Sequence, residues 1–176
     1  FTPILIPLVF FLNSCSERSE YGEASDYEKY GYDNHPTVTS VSPTDNSTDV
    51  AISTTPVVTF SKKISTSTAT ANTSDTTCLG SFQLSSDNFT TCIKMSAAPV
   101  ASDNDTTFTI TPASSLSTVT TFKVKITTSV TDISCNTLGS DNTSIVGFTT
   151  SPSGSGTITG SVQMDNGSAL SGVGVS

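Results

Sequence analysis

The only histidine of the 176-residue chain is His35, and it stands directly before Pro36. A hydroxyl or thiol nucleophile needs a base within hydrogen-bond reach, most often an imidazole, so acyl-transfer chemistry would have to be built on that one ring. His35 reads instead as a solvated linker residue. Paired carboxylates could serve glycoside hydrolysis, yet all four Glu lie between Ser16 and Pro36. The Asp residues further on sit mainly in turn contexts, where a short carboxylate bonds its own backbone. Asp103-Asn104-Asp105 is the best cation candidate, because alternating carboxylate and amide oxygens suit a hard ion such as calcium. No Gly and bidentate Glu follow at EF-hand spacing, and Asp45, Asp49 and Asp132 fare no better. Cys78, Cys92 and Cys135 are separated in number by 14 and 43, which does not match the spacing of structural zinc ligands. There is no glycine-rich phosphate loop. The chemistry-bearing residues therefore point to a non-catalytic protein without a cofactor, with calcium at Asp103 and Asp105 as the alternative.

The fourth cysteine has a different setting. Phe1 to Leu12 is an apolar run that ends in Leu12-Asn13-Ser14-Cys15. About a dozen apolar residues are too few to cross a bilayer core, which takes roughly 20, but they fit the h-region of a secretory signal. The last four residues resemble the bacterial lipobox, with Leu three positions before the Cys and a small residue just before it. That resemblance implies cleavage before Cys15 and acylation of Cys15, giving membrane attachment through its lipid, with palmitate among the acyl chains. Residues 1–14 are then a signal peptide, and the lack of a starting Met and a basic n-region reads as a missing start. With Cys15 assigned to lipid, three cysteines remain in a disulfide-permissive compartment. Cys78 and Cys92 flank a proposed hairpin, and a bridge between them closes a 15-residue loop, a constraint worth about 3 kcal/mol. Cys135 is left over as a free thiol, buried or available for intermolecular pairing.

These residues must be positioned by the remaining chain, whose composition reads as all-β. Ser, Thr, Val, Asn and Asp dominate, Trp is absent, and no Leu-rich or Ala-rich window could sustain a helix. The net charge of −8 argues against nucleic acid as a partner, since phosphates require clustered Lys and Arg. Residues 15–35 hold the lipidated Cys, all four Glu and all four Tyr, but no Val, Ile, Leu or Phe. Such a segment cannot bury enough apolar surface to offset its ordering entropy, and is expected to be a disordered acidic tether.

From residue 36 to 150 the chain becomes a series of short β-type runs separated by turn residues. Thr37 to Ser42 and Pro56 to Phe60 come first, with Thr44-Asp45-Asn46-Ser47 as a turn. Phe82 and Leu84 share one face, and Phe89, Ile93 and Met95 are expected on a returning strand after Ser86-Asp87-Asn88. Phe108 and Ile110, then Phe122, Val124 and Ile126, give the clearest period-two patterns. Val146 and Phe148 close the set. About seven strands over this length predict an immunoglobulin-like antiparallel β-sandwich.

Several of these runs resemble the bacterial Ig-like domains of the S-layer protein type. Pro36-Thr37-Val38-Thr39-Ser40-Val41-Ser42-Pro43 with Thr44-Asp45-Asn46-Ser47-Thr48-Asp49-Val50 is similar to their opening, and Pro56-Val57-Val58-Thr59-Phe60-Ser61 to their second strand. Phe108-Thr109-Ile110-Thr111-Pro112 with Leu116, Val130-Thr131-Asp132-Ile133-Ser134-Cys135-Asn136-Thr137-Leu138, and Val146-Gly147-Phe148-Thr149-Thr150 follow in the family's order. Three positions depart from it. Lys62-Lys63 replaces a common acidic residue, Cys135 stands where the turn has Gly, and Phe122 stands where a Tyr is common. Residues 151–156 read as a linker. Residues 157–176, with Asp165-Asn166-Gly167 and Leu170-Ser171-Gly172-Val173, resemble the start of a carboxypeptidase-regulatory-like, transthyretin-like module.

The resemblances together imply a lipoprotein of the bacterial cell envelope, carried on the outer membrane and facing the periplasm or the surface. Its Ig-like domain would act as a spacer or as an adhesion module for a protein or glycan ligand. The alternatives are the stalk of an enzyme whose catalytic domain lies beyond Ser176, and a calcium-stabilised structural repeat.

Overall fold

The computed structural model describes residues 35–152. Two antiparallel sheets face each other, as the period-two patterns require. The first has the order β1 (Val38–Ser42), β2 (Val57–Phe60), β5 (Thr107–Thr109), β4 (Val100–Ser102). The second is centred on β6 (Thr121–Ile126), which pairs with β3 (Phe82–Ser85) on one side. On its other side β6 pairs with β7 (Asn142–Thr143) and β8 (Phe148–Thr149). A single 3-10 turn, Thr66–Thr68, is the only helical element among the described residues. The all-β Ig-like sandwich expected from the sequence is the fold observed.

The apolar members of each alternation meet between the sheets. Val58 and Phe60 of β2, Phe108 of β5 and Ile110 just after it face Phe82, Leu84, Phe122, Val124 and Ile126 across the core, all nearly fully buried. Phe60 meets Phe82 and Phe108 edge-on, with centroids 6.0 and 5.8 Å apart, while Phe122 stacks on Phe148 at 5.9 Å. Ring pairs at such spacings add to the burial of their area. Phe122 thus fills the core where a Tyr would need a polar partner for its hydroxyl.

β3 departs from simple alternation, because all four of its residues are buried. Its inner face is the core, and its outer face is covered by the flanking segments. The Gln83 amide donates to the carbonyl oxygens of Cys78 and Gly80, both at 3.0 Å. The Ser85 hydroxyl accepts from the N–H groups of Asp87 and Phe89. These bonds satisfy polar groups that burial would otherwise leave costly.

The returning strand expected through Phe89, Ile93 and Met95 does not form as one. Phe89 lies in a turn at φ 64°, where the ammonium of Lys125 sits 4.3 Å above its ring centroid. Of the three, only Ile93 makes a main-chain to main-chain bond back to β3, through its N–H to Leu84 O, while the buried Met95 bridges to Pro112 instead. The turn at Asp87 consumes the residues that would have kept the parity. Val146 likewise is not in the last strand. It is half-exposed, and the strand begins at Phe148.

The direction of the chain matters most for function. β1 leaves His35 and Pro36 at one pole, where His35 meets Thr137 and Leu138 bonds to Val130. After Pro43 the chain changes sheets. Residues 46 to 50 run parallel to residues 147 to 151, and Val50 forms a parallel bridge with Thr150. β7 lies opposite Ile126 and β8 opposite Thr121 and Phe122, so the last segment runs the length of β6 towards the other pole. There Ser151 accepts from Val119, beside Thr120. The chain enters the sandwich at one pole and leaves at the opposite one.

Candidate functional site

The residues singled out for chemistry are dispersed rather than gathered. His35 is exposed, and its Nδ1 lies 2.6 Å from Thr137 O, so the ring is tied to the domain rather than to a free linker. It borders an open hollow of about 500 Å³ shared with Leu138, Gly139, Asp141 and Asn142. Asp141 lends an oxygen to the N–H of Thr128 there.

Asp103, Asn104 and Asp105 form the tip of the β4–β5 hairpin, all three with left-handed φ between 49° and 62°. Short polar side chains tolerate that region best. The Asp105 carboxylate lies 3.8 Å from the ammonium of Lys63, so the lysine that departs from the family pattern neutralises one of the two candidate calcium ligands. The Asp103 carboxylate accepts from Ser102 at 3.4 Å. Among the described residues no three His, Cys, Asp or Glu side chains gather into a cluster able to hold a metal ion.

Asp132 is nearly fully buried. Its oxygens accept from the N–H groups of Ser134 and Asn136 at 2.8 and 2.9 Å and from the Asn136 amide at 2.9 Å. Burial raises its pKa, but the bonds from Asn136 and Ser134 outweigh burial and leave the carboxyl below its ordinary value. This is a turn lock around Cys135, which takes φ 67°. The turn therefore does demand the left-handed backbone that a glycine would adopt without strain.

Cys78 and Cys92 are joined by a disulfide, with their Cα atoms 5.0 Å apart, as their flanking positions predict. The bridge pins the segment that covers the outer face of β3. The expectation for Cys135 is corrected: it is disulfide-bonded, and no described cysteine is free. Because Cys78 and Cys92 hold each other, its partner lies outside the described residues. The odd thiol followed only from removing Cys15 from an even set of four. Cys15 itself, the acidic segment up to Asn34 and residues 153–176 also lie outside the described residues.

One long-range polar clasp was not anticipated from the sequence. The Asp45 carboxylate accepts from the N–H groups of both Val146 and Gly147, 101 and 102 residues along the chain. The N–H groups of Val146 and Gly147 hold its pKa below the ordinary value. Gly147 has φ 91°, and a Cβ there would lie 2.2 Å from Phe122 O, so no other residue fits. The sequence signals were a turn-type Asp in the opening motif and a lone Gly between Val146 and Phe148. Nothing in either said that they meet.

The described residues contain no helix long and apolar enough to cross a membrane. No curated protein matches the sequence. Among solved structures, the chain is similar to domains 1–6 of the surface-layer protein SbsC, at 21% identity and a TM-score of 0.45, over 66% of this chain and 14% of that one. It is also similar to the N-terminal part of the S-layer protein SbsC, at 21% identity and a TM-score of 0.46, over 66% of this chain and 24% of that one. The chain thus spans under a quarter of the length of either structure. The model of a bacterial Ig-like domain matches residues 33–150, two thirds of the chain. With the two facing antiparallel sheets, that match establishes that the chain belongs to the bacterial Ig-like domain family.

Proposed function

We propose that the chain is the membrane-proximal part of a lipid-anchored, non-catalytic envelope protein whose Ig-like domain holds the segments C-terminal to it away from the membrane. The observation that carries this reading is the placement of entry and exit at opposite poles, His35 beside Thr137 and Ser151 beside Val119. A domain threaded from pole to pole adds its full length to a stalk, whereas one with adjacent termini adds little. The anchor would be the lipid on Cys15, and residues 16–34 the acidic spacer. The partner would be a protein or glycan met by loops or by an open sheet edge. Calcium has no assigned part in this reading.

An acylated Cys15 has no sulfur left for a disulfide. The sequence holds no cysteine beyond Cys15, Cys78, Cys92 and Cys135, so the proposal requires Cys135 to pair outside these 176 residues, with a second copy or another chain. Protease treatment of intact cells tests the display itself. Cleavage of the domain without breaching the outer membrane is expected, and cleavage only after breaching it would end the surface-display reading.

A further inference from the structure

We infer that the domain is a force-bearing element, with its mechanical resistance concentrated in a clamp between the segment after β1 and the last segment of the sandwich. Four main-chain bonds cross between these two parallel segments. Asn46 N–H donates to Gly147 O at 2.6 Å and Thr149 N–H to Ser47 O at 2.7 Å. Val50 N–H donates to Thr149 O at 3.1 Å and Ser151 N–H to Val50 O at 2.9 Å. The Asp45 carboxylate adds the N–H groups of Val146 and Gly147, which makes six N–H donors bonded across one short seam.

The direction of the two segments decides how tension acts. In a parallel pair, pulling one segment by its N-terminal side and the other by its C-terminal side drives them along each other in opposite directions. Bonds perpendicular to that motion are loaded together, in shear, instead of one after another as in peeling. Tension entering at His35 first slides β1 along β2, to which it is paired from Val38 to Ser42. It then reaches the seam, because the chain passes straight from Ser42 through Pro43 to Asp45. Tension leaving at Ser151 pulls on the other half of the same seam. The hydrogen-bonded region lies in the direct path between the two ends, and the hydrophobic core behind it is loaded only after the seam fails. Phe148, buried and stacked on Phe122, backs the seam from the core side.

The use of such a clamp in the cell rests on the anchored-stalk reading, since tension needs a fixed point at one end. The clamp itself does not, so single-molecule pulling of the 176-residue chain tests it independently. Handles at the two ends and a Cys135→Gly background, which suits the left-handed turn and removes the second bridge, ensure that force enters through the backbone at His35. Forced unfolding reports the barrier crossed from the native state rather than equilibrium stability. Asp45→Ala removes two of the six donors' acceptors, so the unfolding force is expected to fall by about a third. Asp45→Asn, which keeps one acceptor oxygen, should show a smaller drop. Leu84→Ala, in the buried core on β3 and across β6 from the seam, should lower stability in urea at least as much while leaving the force nearly unchanged. The inference is overturned if Asp45→Ala leaves the force unaltered, or if force tracks chemical stability equally across the three variants.

Discussion

Replacing both Cys78 and Cys92 by Ala should destabilise the domain by about 3 kcal/mol. The two residues are 14 apart in sequence, so the bridge closes a loop of 15 residues in the unfolded chain, and the loss of loop entropy gives that figure at 25 °C. Alanine is preferable to serine because Cys92 is only 4% exposed, and a buried hydroxyl without a partner would add its own cost. For the 118 residues described, an unfolding entropy of roughly 2.1 cal/mol/K per residue converts 3 kcal/mol into a fall in Tm of about 12 °C. Mutation is the right perturbation, since a reductant would open the Cys135 bridge as well. Urea titration and thermal unfolding of the double variant should agree, with the denaturant slope slightly raised because the unfolded chain is less compact. The competing effect is local order that survives without the bridge. Asp87 bonds Thr91 and Ser85, and Asn72 bonds Asp75 and Thr77, on either side of it. A loss under about 1 kcal/mol would mean that these networks already constrain the segment, and would refute the entropic reasoning.

Acid should weaken the fold through specific carboxylates. Hydrogen bonds from the side chain and N–H of Thr91 and from Ser85 lower Asp87 to about 2, and hydrogen bonds also lower Asp45, Asp75 and Asp132 below 3.8. Each contributes stability that is present above its unfolded pKa and lost as pH falls through the folded one. Urea midpoints should therefore fall between pH 4 and about 2, and a flat profile across that window would show that these bonds are not retained in solution. Gly147→Ala places a Cβ 2.2 Å from Phe122 O at a φ of 91°, and should cost about 3 kcal/mol or more in urea titration. Val119 is β-branched at φ 48°, so Val119→Asn should gain about 1 kcal/mol by the same measurement. Calcium or a chelator should leave Tm unchanged, and a rise of several degrees with calcium would revive Asp103 and Asp105 as a stabilising site.

The sandwich was legible because its inner positions alternate. Val58 and Phe60, Phe108 and Ile110, and Phe122, Val124 and Ile126 each place apolar residues two apart, and all are buried as that period requires. β4 and β7 were not legible. Val100–Ser102 is too short to show an alternation and Asn142–Thr143 has no apolar residue, so both are strands because neighbouring strands offer them bonds. The Phe89 to Met95 run failed for the opposite reason, since local turn chemistry at Asp87 overrode an apolar parity. The Cys78–Cys92 bridge could be read from local spacing. The fate of Cys135 could not, because pairing depends on what the rest of the chain brings to it. The Asp45–Gly147 clasp joins residues 102 apart, and no local pattern encodes a contact at that distance.

The central claim, an anchored stalk module, is tested most directly by non-reducing peptide mapping of the protein extracted from cell envelopes, with the mass of the Cys15 peptide as the readout. The account predicts an N-terminal Cys15 carrying acyl chains on its sulfur and amine, with Cys135 bridged to a cysteine outside these 176 residues. A Cys15 peptide disulfide-linked to Cys135, or an unmodified Cys15 within a longer N-terminal peptide, would contradict it.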